Sequence, residues 1–318
     1  LRPLRLGAGV LAGGVLVTGL AWSTNRWLTV ALQGTYRNDQ RLLALEPISV
    51  GPAPQPLQQL RRQPVSLAAI LRRRELRVGV RLESVPWVYR NRRQELVGFD
   101  LDLLRSLART LGVSLRVREG RPAELEQWLQ GEAVDLVMGG IQSSPLRAAR
   151  FRATVAYRKL HLALVVPDEK VPLIQGLNQQ NLGRPLRLAV SDPQLVTADL
   201  ADQVRRLLGG ERSEQALQIA PVASKEQVLS PRGRQQFDAL LTTAEGGAAW
   251  AVLHPRFSLL TSFGDSLQSD LVILVAGDDE ALIAYLNSWL AREQGRGKME
   301  RLFRYWVTLQ DAPALRVP

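Results

Sequence analysis

The segment GGIQSSPLR, residues 139–147, combines residue types that suit the capture of a small anion. Arg147 carries a planar guanidinium, whose parallel N–H donors match the two oxygens of a carboxylate in a way that a lysine ammonium does not. Gly139 and Gly140 end an apolar run, and the absence of a side chain lets backbone groups approach a ligand closely. The segment therefore predicts a carboxylate site at the end of a buried strand, with a surface arginine after a simple tight turn as the alternative.

Catalytic and metal-binding patterns are missing from the sequence. The chain contains no cysteine and two histidines, and His161 and His254 stand far apart without further ligands. Neither a Ser-His-Asp order nor a phosphate-binding loop occurs. Asp100 and Asp102 start a predicted helix, where carboxylates stabilise the positive end of the helix dipole. We therefore expect no catalytic residues, no metal and no cofactor.

The formal net charge of +11 raises the possibility of nucleic-acid binding. Arginines recur along the whole chain, however, and the densest run, at 72–74, has no interleaved aromatic residues. We interpret the basic residues as a solvated surface and expect no nucleic-acid partner.

Residues 6–25 form an uncharged run long enough, at ~1.5 Å per residue, to span a bilayer as a helix. We expect a single-span anchor over 1–32 in the lipid bilayer of the bacterial inner membrane, with a cleaved signal peptide as the alternative because Gly19 and Ala21 fit a processing site. Arg2 and Arg5 favour a cytoplasmic N-terminus and an exported remainder. The first residue, Leu1, suggests a fragment of a longer polypeptide. A proline-rich linker is expected over 33–66.

Strand and helix patterns alternate from Leu76 onward. Strands are predicted at 76–80, 114–119 and 134–140, and helices at 99–112 and 122–132. Leucines at 101, 104, 107 and 111 form one apolar helix face. Further strands are predicted at 187–190 and 237–242. This alternation is typical of an α/β fold with a parallel sheet.

Several segments in order resemble bacterial extracellular solute-binding proteins of family 3. They are ELRVGV, VPWVYRNRRQELVGFDLDLLRSLARTLG, VDLVMGGIQSSPLRAARF, YRKLHLALVVP and the C-terminal DDEALIAYLNSWLAREQGRGKMERLFRYWV. The resemblance implies a two-lobed periplasmic-binding-protein-like fold of type II. It places lobe 1 at 67–165, lobe 2 at 166–272, and a return to lobe 1 with C-terminal helices at 273–318. A ligand would lie in the cleft between the lobes.

The resemblance also assigns roles to individual residues. Arg147 would hold the ligand's α-carboxylate, with Gly139, Gly140 and the Gln142 side chain beside it. Trp87 and Tyr89 would wall the pocket or fill the lobe core. Ser191, in the segment SDPQ, corresponds to an anion-binding loop in lobe 2.

Departures from the family pattern bear on the ligand. Where the family has an acidic residue after the first strand, this chain has Arg81, and Glu83 could take that role in another register. Where the family has a second acidic residue late in the chain, this chain has Thr243, and Glu245 is the nearest carboxylate. Arg81 and Arg147 facing one cleft would favour a ligand with two acidic groups. We therefore predict capture of a small carboxylate solute, a dicarboxylate or an amino acid, in the periplasm. The partner would be a membrane transporter, either a separate protein or part of the same polypeptide. A ligand-sensing domain of a membrane signalling protein is the alternative function.

Overall fold

The computed structural model describes residues 49–50, 64–81, 84–91, 94–175, 182–209, 216–261 and 268–308. The expected anchor at 1–32, nearly all of the expected linker at 33–66, and Glu83 lie outside these ranges. Within the described part of the chain, every helix is too short or too polar to cross a bilayer.

Fourteen strands are described, and we number them in chain order: β1 Ser49–Val50, β2 Glu75–Arg81, β3 Tyr89–Arg90, β4 Leu96–Val97, β5 Ser114–Gly120, β6 Leu136–Met138, β7 Arg152–Ala153, β8 Arg158–Pro167, β9 Leu186–Val190, β10 Leu217–Pro221, β11 Ala239–Thr243, β12 Phe257–Leu260, β13 Gln268–Leu271 and β14 Leu274–Val275.

The described α-helices are α1 Leu67–Arg73, α2 Phe99–Leu111, α3 Pro122–Gln130, α4 Pro145–Ala148, α5 Val171–Gln175, α6 Ala198–Gly209, α7 Lys225–Leu229, α8 Pro231–Gln236, α9 Ala244–Leu253, α10 Glu280–Gly295 and α11 Lys298–Phe303. Short 3₁₀ turns cover Asp168–Lys170 and Pro193–Leu195, and a π-helical turn covers Arg304–Thr308.

The first sheet, which defines lobe 1, has the strand order β1-β5-β2-β6-β14-β7. Strands β2, β5 and β6 are parallel, as the alternation of strands and helices predicts. Helix α2 buries Leu101, Leu104 and Leu107 against this sheet, and Leu111 is partly buried in the same core. Gly112 ends α2 in the left-handed conformation, which glycine adopts at little cost. The predicted strands and helices of lobe 1 are therefore confirmed.

The second sheet, which defines lobe 2, has the order β10-β9-β11-β8-β12, and β13 also pairs with β8. Strands β9, β10 and β11 are parallel, whereas β8 runs antiparallel to β11. Because β8 begins at Arg158, the chain enters the second sheet earlier than the boundary at 165/166 expected from the sequence. The chain is back in the first sheet at Leu274, where β14 pairs with β6.

Both lobes place a buried aspartate directly before a central strand. Asp135 precedes β6 and accepts hydrogen bonds from the Arg77 backbone N–H of β2 at 2.8 Å and from the Arg77 guanidinium at 2.7 Å. Asp238 precedes β11 and accepts from the Arg187 backbone N–H of β9 at 2.9 Å. Each carboxylate thus joins the start of one strand to its parallel neighbour and fixes the register of the two strands.

Cationic side chains complete the surroundings of Asp238. Its carboxylate accepts hydrogen bonds from Arg184 at 2.7 Å and from Lys170 at 3.1 Å, and its side chain is fully buried. Burial alone would raise the pKa of Asp238, but the hydrogen bonds from Arg184, Arg187 and Lys170 outweigh it and hold the pKa well below its ordinary value.

Replacing Asp238 with Asn should lower the free energy of unfolding by about 2–3 kcal/mol near neutral pH, because hydrogen bonds to a charged group are worth roughly 1.5–3 kcal/mol. Since the folded-state pKa is depressed, this contribution is present above the ordinary value of 3.8 and is lost as pH falls below it. Urea unfolding at pH 7, 5 and 3.5 measures the difference between the two proteins.

The matched control is Asp202→Asn, which removes the same charge from an exposed pair with Arg205 on α6. It should change stability by less than about 0.5 kcal/mol. Because most of the loss falls below pH 3.5, unfolding is also measured at pH 2.5. A difference between wild type and D238N that is the same at pH 7 and at pH 2.5 would contradict the role of the ionised carboxylate.

Candidate ligand cleft

A cleft of about 510 Å³ lies between the two lobes. It is lined at the carboxyl ends of parallel strands, where α/β sheets commonly bind ligands. Lobe 1 contributes the segments that follow β2 and β6, and lobe 2 contributes those that follow β9 and β11. The lining residues used below are Arg81, Ser84, Trp87, Gly140, Gln142, Lys159, Ser191, Asp192, Asp199, Lys225, Thr243 and Asp270.

The Gly139–Gly140 turn forms part of the lobe 1 wall and requires glycine. Gly139 has φ +112° and Gly140 has φ +69°, both in the region that L side chains rarely adopt. A Cβ atom at position 140 would lie 2.4 Å from Trp87 Cδ1 and 2.7 Å from Ser84 Oγ. The missing side chain therefore allows Trp87, which is buried and packs edge-on against Phe99, to stand at the cleft wall.

Asp100 holds this turn from behind. Its Oδ2 accepts hydrogen bonds from the backbone N–H groups of Gly139 at 3.0 Å and Gly140 at 2.7 Å, and Tyr157 donates its hydroxyl at 2.9 Å. Burial raises the pKa of Asp100 to about 7, against the opposing effect of these hydrogen bonds. The sequence places Asp100 at a helix start, where a dipole role would suffice, yet the side chain instead orders the cleft wall.

Arg147 is held in place by the helix that carries it. Ser144 caps α4 by accepting from the Arg147 backbone N–H at 3.2 Å, and the Arg147 guanidinium Nη1 donates to the Gln142 carbonyl at 2.9 Å. The Arg147 side chain is only 2% exposed, and it lies behind the cleft surface. Its Nη2 group reaches across to lobe 2, whereas its buried Nε–H has no hydrogen-bond partner among the described residues.

The acceptor of Arg147 is the carboxylate of Asp192, which lies directly after Ser191 in the SDPQ segment. Nη2 of Arg147 lies 2.8 Å from each Asp192 oxygen. Arg81 donates from Nη1 to Asp192 at 3.2 Å, and from Nη2 to the Ser191 hydroxyl at 2.9 Å and carbonyl at 3.2 Å. One lobe 2 carboxylate therefore bridges two lobe 1 arginines.

The charges of this cluster shift its pKa values in opposite ways. Burial alone would raise the pKa of Asp192, but the positive charges of Arg147 and Arg81 outweigh burial and hold this pKa below its ordinary value. Burial lowers the pKa of Arg81, opposed by Asp192. At neutral pH the cluster is a buried ion triad.

Glu126 of α3 adds a second contact between the lobes. Its Oε1 lies 3.5 Å from Arg147 Nη2, and its Oε2 accepts from Arg150 at 3.0 Å. The Gln194 side chain of lobe 2 donates to the same Oε2 at 3.1 Å. The segment 191–194 thus contacts lobe 1 through three of its four side chains.

The other residues singled out in the sequence divide into two groups. Gln142 lines the cleft and accepts a hydrogen bond from Ser269 at 2.8 Å, and Thr243 lines it as the N-cap of α9, where it accepts from the Gly246 N–H at 3.2 Å. Glu245 lies outside the cleft lining. One of its oxygens is 3.7 Å from His161 Nδ1. Tyr89 is buried in the core of lobe 1.

Sequence reasoning missed Asp192, Asp100 and Glu126 as parts of this arrangement. For Asp192 a signal existed, since the anion-loop position carries an acidic residue between Ser191 and Pro193. Asp100 and Glu126 each lie on a helix face whose orientation toward the cleft is decided by packing, so their positions in the sequence do not mark them.

Asp100→Ala should destabilise the protein by about 2–4 kcal/mol, because it leaves two buried backbone N–H groups without an acceptor, at roughly 1–3 kcal/mol each. Asp100→Asn should cost less, since its Oδ1 still accepts from those groups. The raised pKa of Asp100 means that the native protein binds the proton more tightly than the unfolded chain.

The stability of wild type relative to D100N should therefore fall as pH rises from about 4 to about 7 and level off above that. The Tyr157 hydroxyl donates a hydrogen bond that lowers the pKa of Asp100. Tyr157→Phe should therefore raise this pKa, so that the loss of stability continues to higher pH. Chemical unfolding across pH 4–9 measures both, and a pH-independent difference would contradict this account.

Comparison with known proteins shows the family and the fold of this chain. Residues 76–309 match the family described as bacterial extracellular solute-binding proteins, family 3. The probable ABC transporter arginine-binding protein ArtJ of Chlamydia trachomatis is 33% identical over 103 residues, which are 31% of this chain and 40% of that protein. This chain thus matches about 40% of the length of that curated relative.

Solved structures share the fold at low sequence identity. The ancestral amino-acid-binding protein AncCDT-1, a precursor of cyclohexadienyl dehydratase, has a TM-score of 0.60 at 21% identity, covering 76% of this chain and 98% of that one. A putative ABC transporter binding component from Wolinella succinogenes, complexed with lysine, has a TM-score of 0.58 at 22% identity over 74% and 96%.

A substrate-binding protein of an ABC uptake transporter from Streptococcus pneumoniae, with bound histidine, has a TM-score of 0.61 at 15% identity over 75% and 94%. These likenesses show the two-lobed α/β periplasmic-binding-protein fold. With the family match covering most of its length, the chain belongs to the bacterial extracellular solute-binding proteins of family 3.

Proposed function

We propose that this protein is the extracytoplasmic receptor of a membrane uptake transporter and that it captures an amino acid in the cleft between its lobes. The observation that carries the proposal is the cleft itself, which lies at the carboxyl ends of strands from both lobes and has a volume of about 510 Å³, suited to a small solute. A solute that contacts both walls favours the closed arrangement, because contacts with both lobes exist together only there.

The charges along the cleft are mixed, which favours a zwitterion over a dianion. Beyond the arginine cluster, the lining carries two acidic residues, Asp199 and Asp270, and two lysines, Lys159 and Lys225. Both arginines that suggested a dicarboxylate, Arg81 and Arg147, are paired with Asp192. The surplus positive charge on which the dicarboxylate hypothesis rested is thereby reduced.

Related proteins support the same solute class. The curated relative is named for arginine, and two of the structural relatives hold lysine and histidine. All three are described as ABC transporter components. We therefore propose a binding rather than a catalytic role, in the periplasm, with a membrane transporter as the partner. The predicted anchor at residues 6–25 would keep the receptor at the membrane.

Isothermal titration of the protein against L-arginine, L-lysine, L-histidine, L-glutamate and succinate tests the solute class. We expect saturable 1:1 binding of at least one amino acid with a basic side chain, and no saturable heat from succinate at the same concentrations. Binding of succinate more tightly than every amino acid would overturn the proposal in favour of the dicarboxylate. The absence of binding across the panel would reject amino acids with a basic side chain as the solute.

Asp270 is an acidic residue of the cleft lining and precedes β14, the strand that returns to lobe 1. Its backbone carbonyl accepts a hydrogen bond from the backbone N–H of Ser143 in lobe 1 at 2.8 Å. We expect Asp270→Asn to weaken binding of the preferred basic amino acid by about tenfold or more, because a hydrogen bond to a charged group is worth roughly 1.5–3 kcal/mol.

The matched control for this variant is Asp278→Asn, an exposed carboxylate outside the cleft lining. It should leave the affinity within about twofold of wild type. Equal affinities of D270N and wild type for every panel member would show that Asp270 does not meet the solute.

A further inference from the structure

The chain supplies its own carboxylate to the two arginines at the base of the cleft. Asp192 belongs to lobe 2, whereas Arg147 and Arg81 belong to lobe 1. Its side chain is 2% exposed, and both of its oxygens lie 2.8 Å from Arg147 Nη2. Charge and burial are those expected for a carboxylate captured by a guanidinium, although both oxygens meet the one Nη2 group and not two parallel N–H donors.

A solute carboxylate cannot share this position. The Nη2 group of Arg147 meets Asp192 and its Nη1 meets the Gln142 carbonyl. Its Nε has no hydrogen-bond partner in the described part of the chain but is buried, because the side chain is only 2% exposed. The second arginine is likewise engaged, by Asp192 and Ser191. An incoming anion therefore has to displace Asp192 before it can pair with Arg147.

The same contact joins the two lobes. Ser191 and Asp192 bind lobe 1 arginines, and Gln194 binds Glu126 of α3. Removing one partner of a buried ion pair leaves an uncompensated charge, so that separating the lobes here is costly unless water or another anion replaces Asp192. We refer to residues 191–194 as the latch.

We propose that Asp192 is a specificity-determining residue, an internal carboxylate that competes with the solute's carboxylate for Arg147 and Arg81 and holds the lobes together. The competition rests on the proposed function, whereas the holding of the lobes does not. A solute whose affinity comes mainly from its carboxylate binds weakly. A solute whose affinity comes mainly from contacts with the other cleft walls binds more tightly.

The expected effect follows from population arithmetic. The apparent affinity of a solute is reduced by the fraction of molecules in which the binding position is accessible. If the latch leaves about a tenth of the molecules accessible or fewer, its removal raises the affinity for an amino acid about tenfold or more.

Three variants separate the roles of charge and structure. Asp192→Asn removes the charge, and Asp192→Ser removes it while keeping a side-chain acceptor for the Gln194 N–H that Asp192 caps at 3.2 Å. Asp202→Asn is the control, since it removes the same charge from an exposed site in lobe 2. Circular dichroism and thermal unfolding establish that each variant is folded.

Two measurements are made on each protein. Titration calorimetry with L-arginine, L-lysine and L-histidine gives affinities. Fluorescence energy transfer between dyes on introduced cysteines, at exposed Gln127 in lobe 1 and exposed Ala223 in lobe 2, reports the distance between the lobes. The natural sequence has no cysteine, so that only the introduced thiols react.

We expect D192N and D192S to show lower energy transfer without added amino acid and at least about tenfold tighter binding of one or more of the amino acids. D202N should match wild type in both measurements. Adding Arg147→Ala to D192N should abolish the gain in affinity, because the gain comes from the released guanidinium.

The outcomes distinguish this proposal from the proposed function. The competition by Asp192 is overturned if D192N and D192S bind amino acids within twofold of wild type with the same energy transfer, or if both bind more weakly. Neither result contradicts the proposed amino-acid receptor. Lower energy transfer in both variants, with no amino acid bound by any protein, supports the latch and rejects the amino-acid ligand.

Discussion

The arrangement of the cleft depends on the burial of positive charge next to a carboxylate. Arg147 and Arg81 are almost completely buried, and removing a guanidinium from water is costly unless an anion accompanies it. Asp192 is the anion that meets both, from the opposite lobe. The position of the two lobes, the accessibility of the arginines and the charge left for a solute all follow from this one triad.

The scaffold of each lobe is built to hold that triad in place. A buried aspartate precedes a central strand in both lobes and bonds to the backbone of the neighbouring parallel strand, Asp135 in one lobe and Asp238 in the other. These carboxylates fix the starts of the strands, and the opposite, carboxyl ends of the same strands carry the loops that line the cleft. In lobe 1 a further carboxylate, Asp100, binds the Gly139–Gly140 turn from behind, so that the wall beside Trp87 is rigid where a ligand would lie.

Membership in an extracellular solute-binding family and the geometry of the cleft lead to the same kind of function, namely capture between two lobes. The arginine cluster refines the picture. An arginine placed to grip a carboxylate is present, but the carboxylate that it grips belongs to the protein. On the proposed competition, the affinity of a solute would be set by the difference between its contacts and those of Asp192, and the mixed charges of Lys159, Asp199 and Asp270 would discriminate between solutes.

The sequence by itself determined the α/β alternation and the main helices and strands, because leucine periodicity and apolar runs are local signals. It also drew attention to Arg147, Gly140 and the 191–194 segment, whose part in ligand binding stays a prediction. Only the tertiary structure decided that β8 lies in the second sheet, that Glu245 turns toward His161, and that Asp192 crosses to Arg147 and Arg81. These are contacts between residues far apart in the chain, and their energies depend on burial and on the approach of two lobes, which no local pattern encodes.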